Sequence, residues 1–113
     1  MAAGTPLTIS HLSLEYVKVQ IEAEQNGAAI NPSGDVVQMA FPVQGVDPVT
    51  GDWKTASWEV AAPPTVTKTE YWARCLVGTG GAVALAAGRY DIWIKVTDSP
   101  EVPVQYAGVL IVT

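Results

Sequence analysis

Apolar residues along this chain recur at every second position, in short runs broken by glycine, proline and asparagine, which is the period of a β-strand with one buried face. Leu12, Leu14 and Tyr16 hold one phase, and Val17, Val19 and Ile21 hold the other. A shift of one residue turns every side chain to the opposite face, so this change of phase predicts a β-bulge or two consecutive short strands. Gln25-Asn26-Gly27 reads as a turn, Asn-Gly being a strong hairpin signal, and residues 31–35 form a second turn cluster. Between them Ala28-Ala29-Ile30 reads as a short edge piece.

Val37, Met39 and Phe41 alternate in a half-buried strand that Pro42 ends, because proline cannot donate to a ladder. Residues 46–52 form a loop, and strand character returns from Trp53 through Val60. Trp58 is the expected large core side chain of that run. Trp53 lies five residues earlier, so in a regular strand it points the other way and is the more exposed of the two. Pro63-Pro64 stops the run, after which residues 66–77 read as extended. Tyr71, Ala73, Cys75 and Val77 occupy one phase there. Trp72, Arg74 and Leu76 occupy the other, which the charge of Arg74 marks as the solvent or partner face.

Thr79-Gly80-Gly81 closes that strand in a turn read as a hairpin. Next come Tyr90, Ile92, Ile94 and Val96 on a core phase, with Trp93, Lys95 and Thr97 opposite. Gly88 followed two residues later by Tyr90 at a strand entry matches a tyrosine corner, in which the phenol turns back to bond local backbone. Residues 98–101 turn the chain into a last strand or hairpin half over 102–112, with Pro103 at its edge and Gly108 at a bulge or close contact. Residues 82–87 are too short for a helix and are bounded by glycines. About seven strands at this spacing predict an all-β, immunoglobulin-like Greek-key β-sandwich, with Trp58, Tyr90, Ile92 and Ile94 as its fold-defining core. One domain spans residues 1–113, with residues 1–6 as a flexible N-terminal tail.

Composition adds a surface argument. Hydrophobic residues make up 49% and charged residues only 15% of 113 positions, whereas designed soluble surfaces carry roughly 25–35% charge. A charge-poor surface suits a chain that works packed against other proteins, although small turns reach the same composition unaided. Eleven acidic and six basic residues leave a net charge of −5, and the basic residues are scattered singly. Without a basic cluster to neutralise phosphates, nucleic acid and anionic membrane surfaces are not expected partners. The opening residues carry neither a basic nor an apolar leader region, so synthesis in the cytoplasm is expected.

Candidate chemistry is sparse. Cys75 is the single cysteine and reads as an inert, buried thiol. His11 is the single histidine, which leaves no relay and no histidine-based metal centre, so neither a catalytic residue nor a metal or cofactor site is expected. Gly78-Thr79-Gly80-Gly81 lacks the Gly-Lys-Ser/Thr ending and the following helix of a phosphate loop. Asp47 and Asp52 flank a loop but fall short of a calcium loop's ligand set and read as turn acids. Glu22 and Glu24 read as solvent-facing charges that discourage edge pairing. Four tryptophans and four tyrosines raise a sugar-binding platform as an alternative, provided that Trp53, Trp72 and Trp93 stand side by side; packing under loops or against a protein partner is the other reading.

The segments Tyr71-Trp72-Ala73-Arg74-Cys75-Leu76-Val77-Gly78, Leu85 through Glu101 and Ala107-Gly108-Val109-Leu110-Ile111-Val112 resemble small immunoglobulin-like structural proteins of tailed bacteriophages and prophages of actinobacteria. The residues that carry the resemblance are 31 of the 113 positions. It implies a non-enzymatic virion part: a capsid decoration protein, a head-tail joining protein, or a small tail or baseplate component. It further implies other virion proteins as partners, self-association or lattice assembly, and residence in the virion. The candidate interface is Trp53, Trp72, Arg74 and Trp93, on what reads as the non-core phase; a glycan-binding or host-adhesion module is the rival reading.

Overall fold

The computed structural model describes residues 6–22, 24–25, 28–29, 31–98 and 100–113. Among these residues ten strands follow one another: β1 (Leu7–Ile9), β2 (Glu15–Ile21), β3 (Glu24–Gln25), β4 (Ala28–Ala29), β5 (Val36–Ala40), β6 (Lys54–Thr55), β7 (Ser57–Ala61), β8 (Glu70–Val77), β9 (Gly88–Thr97) and β10 (Val104–Val112). Among the described residues there is no α-helix, only a single 3-10 turn at Thr50–Asp52.

Five strands form one sheet in the order β1-β10-β9-β5-β6, and three form a second in the order β2-β8-β7. All these pairings are antiparallel except β1 with β10, where Leu7, Thr8 and Ile9 run parallel to Leu110, Ile111 and Val112. The short hairpin β3-β4 stands apart from both sheets. His11 fixes the β1–β10 end: its main-chain N–H and its Nδ1 both donate to the Thr113 carbonyl, at 2.8 and 2.7 Å.

The core lies between the sheets and follows the alternation in the sequence. Val17, Val19 and Ile21 of β2 and Ala73, Cys75 and Val77 of β8 face Val37 and Met39 of β5, Ile92 and Ile94 of β9 and Leu110 of β10. Burying each Val, Ile, Leu or Met of this set contributes about 1.5–3 kcal/mol. Met39, next to last in β5, is fully buried. Trp58 lies instead on the outer strand β7, partly buried against the core, with its indole N–H donating to the Asp35 carbonyl at 2.8 Å. Tyr90 packs on the same cluster, and its hydroxyl donates to the Ala86 carbonyl at 2.7 Å, the bond of a tyrosine corner.

Several local expectations are revised. The run from Trp53 to Val60 is not one strand: it divides at Ala56, with β6 joining β5 in one sheet and β7 joining β8 in the other. The extended segment expected from residue 66 begins only at Glu70. Gly78-Thr79-Gly80-Gly81 is not a hairpin turn, because β8 and β9 belong to different sheets and the glycines carry the chain between them. Leu12 and Leu14 precede β2 rather than belonging to it, so the change of phase is a loop-to-strand boundary. A bulge does occur near Gly108, where the β9–β10 register shifts between Tyr106 and Gly108. The Asn26-Gly27 turn and residues 1–5 of the expected tail lie outside the described residues.

Candidate interaction surfaces

Two sheets packed through one core leave two outer faces, and the four candidate interface residues divide between them. Trp72 and Arg74 alternate with buried Ala73 and Cys75 and so lie on the outside of the three-stranded sheet. Trp93 alternates with buried Ile92 and Ile94 on the outside of the five-stranded sheet, where Trp53 joins it. The expected single aromatic face is therefore not formed by these four residues. Polarity alternation records only inside or outside and carries no information about which sheet a strand joins.

On the three-stranded sheet, register places Lys18 opposite Arg74 and Trp72 between Gln20 and Glu59. Two adjacent cations would repel. The Glu59 carboxylate resolves this by accepting from Lys18 Nζ at 2.9 Å and Arg74 at 3.2 Å, joining all three strands across β8. Lys18, the largest influence, and Arg74 hold the Glu59 carboxyl below its ordinary value of 4.5. Arg74 also donates to the Ser57 hydroxyl and stacks 4.4 Å over the Tyr16 ring, so its charge is fully engaged. The Trp72 indole N–H donates to Glu70 at 3.2 Å.

On the five-stranded sheet, Trp93 meets Tyr106 edge to face, with ring centroids 5.8 Å apart. The Trp93 indole N–H is shielded from solvent and has no partner among the described residues. Two positions along β9, Lys95 holds its ammonium 4.5 Å over the ring of Trp53. Val36 and Val104, opposite Thr97 and Lys95 on the flanking strands, are 63% and 47% exposed. Trp93, Tyr106, Lys95 and Trp53 thus form a continuous aromatic and aliphatic strip with a single cation.

Sequence reasoning missed the device that shapes one end of this strip. Asp91 points outward yet is only 8% exposed, because the turn after Pro42 folds over it. Its carboxylate accepts the Gly45 N–H at 2.8 Å, while Gln44 N–H donates to the Arg89 carbonyl and Asp91 N–H to that of Pro42. Nothing in an outward-phase aspartate signals a loop returning from a distant segment.

Cys75 is buried, and desolvation pushes its thiol up to about 11. Asp52 closes its turn, accepting the Val49 N–H at 2.9 Å, and Asp47 is exposed. Among the described residues no three His, Cys, Asp or Glu side chains come together as a metal site would need. Comparison with known protein families, with curated proteins and with solved structures returns no match.

Proposed function

We propose that the chain is a non-enzymatic structural component of a tailed-phage virion, a capsid decoration, head-tail joining or small tail or baseplate protein. In this reading it is made in the host cytoplasm and works by protein–protein assembly on an immunoglobulin-like Greek-key sandwich. The fold name is supported by a first strand parallel to the last, by strand order in both sheets, and by the tyrosine corner two residues before buried Ile92. The assembly reading rests on one observation, the strip of Trp53, Lys95, Trp93 and Tyr106 flanked by exposed Val36 and Val104. Tryptophan and tyrosine are enriched where interfaces carry most of their binding energy.

The test is quantitative mass spectrometry of density-gradient-purified particles from an induced lysate of the organism. A fixed ratio of this chain to the major capsid protein supports the proposal. Complete absence from particles that otherwise hold their full protein set overturns it.

One observation favours a second reading. Trp53, Trp93 and Tyr106 share a sheet face, as a glycan-binding or host-adhesion module requires. Saturable tryptophan quenching by one member of a polysaccharide panel, lost in Trp53→Ala, would favour that reading over assembly.

A further inference from the structure

Along all seven residues β2 pairs with β8, and among the described residues nothing pairs with its other edge. Facing that edge is β10, which β1 covers only at Leu110, Ile111 and Val112. Between β2 and the β1–β10 edge lie two open, neighbouring spaces of about 280 and 130 Å³, both bordered by Leu7, Lys18 and Trp72. The smaller reaches Ile92, Ala107 and Gly108. Gly108 is buried, yet a Cβ placed on it would meet nothing within 4 Å. Open space therefore lies over Gly108, beside a strand edge that is unpaired among the described residues.

We propose that this cleft seats one extended segment of a different protein, whose main chain pairs with β2 and whose alternate apolar side chains enter the space over Gly108. The chemistry of the cleft specifies this occupant. A row of strand N–H and C=O groups is satisfied by another strand and not by a helix surface, and side chains on such a strand enter the core at every second position. The smaller compartment, of about 130 Å³, is open to solvent and bordered by Lys18 and Gln20 as well as by Leu7, Ile92 and Ala107, which leaves room for one small side chain at its apolar end. Lys18 is already engaged by Glu59, which leaves neutral side chains as the best neighbours along β2. Glu15 borders the larger compartment and has no ion-pair partner among the described residues, so a cation at that end of the incoming segment is complementary. The inference rests on the assembly reading for the existence of a polypeptide partner and adds how that partner attaches.

A capped peptide alternating threonine and valine, with one terminal lysine, is the probe. It is titrated into the full chain while amide exchange and the Trp72 indole N–H resonance are followed by NMR. The alternate β2 amides that point away from β8 are expected to slow by at least ~10-fold, with a saturable change at Trp72. Leu7→Glu and the milder Leu7→Ser should both weaken the effect, and Val102→Thr, outside the cleft, should not.

No slowing up to the peptide's solubility limit, or slowing indifferent to both Leu7 variants, overturns the proposal. Protection of the same amides in the peptide-free protein at every dilution assigns the seat to the chain itself. Protection that grows with protein concentration alone assigns it to a second copy, and either result also overturns a foreign segment. None of these failures alters the particle measurement, so the two proposals fall separately.

Discussion

The Asp91 carboxylate and the Gly45 N–H meet at 2.8 Å across 46 positions of sequence, and through them the turn after Pro42 is fastened to the outer face of the five-stranded sheet. The acceptor is a carboxylate held at low exposure. Its removal leaves a partly buried N–H without a partner. Asp91→Ala is expected to cost about 1.5–3 kcal/mol, the range for hydrogen bonds to charged groups, and Asp91→Asn less, because the amide oxygen can still accept. Urea unfolding of the two variants checks the order.

Glycines with positive φ differ in what surrounds them. Gly78, at φ 136°, lies so close to the Ser13–Leu14 backbone that a Cβ would come within 2.8 Å of the Leu14 Cα. Gly45, at φ 88°, has nothing within 4 Å of the same position. Gly45→Ala should therefore cost only its backbone conformation, about 1–2 kcal/mol, whereas Gly78→Ala adds a clash with main chain that cannot move aside. Thermal unfolding of the pair should show Gly78→Ala as much the more damaging change. Similar losses would mean that the β8–β9 crossing does not press on the loop before β2.

Glu59 gives the protein an acid-sensitive contact. Its folded pKa is lowered by Lys18 and then Arg74, so its contribution is present above the unfolded value and is lost as pH falls through the folded one. The wild type should lose stability on acidification below about pH 4.5 more steeply than Glu59→Gln. Added salt should narrow the difference, since the carboxylate is exposed. Unfolding midpoints measured across this pH window at two ionic strengths provide the check.

Cys75 should be silent in the native protein. Its thiol is raised to about 11 and 1% exposed, so at pH 8 it should react with a thiol reagent only as fast as the protein opens. Above about pH 9 the thiol ionises in the unfolded chain before it does in the folded one, and stability falls accordingly. Reaction at the rate of a free thiol under native conditions would show that β8 does not bury this residue.

These cases separate what alternation reveals from what it hides. Val17, Val19, Ile21, Met39, Ile92 and Ile94 are legible because the sequence writes burial directly as a two-residue period. Tyr90 is legible because a local glycine and strand entry set up its bond to Ala86. The division at Ala56 is hidden, since β6 and β7 share one polarity pattern while serving different sheets. For the same reason Trp72 and Trp93 read as neighbours in polarity and stand on opposite outer faces. Glu59 between Lys18 and Arg74 depends on the register of three strands, and Asp91 depends on a returning loop; neither register nor loop path has a local signature.

The parallel pairing of Leu7 with Leu110 has a consequence in time. On the ribosome β1 emerges early and waits for β10 until almost all of this sequence has been synthesised, because domains are made from the N-terminal end. The strand at one margin of the five-stranded sheet is thus translated before the other described strands and is among the last to find its place. Until then β1 is available to any strand the cell presents.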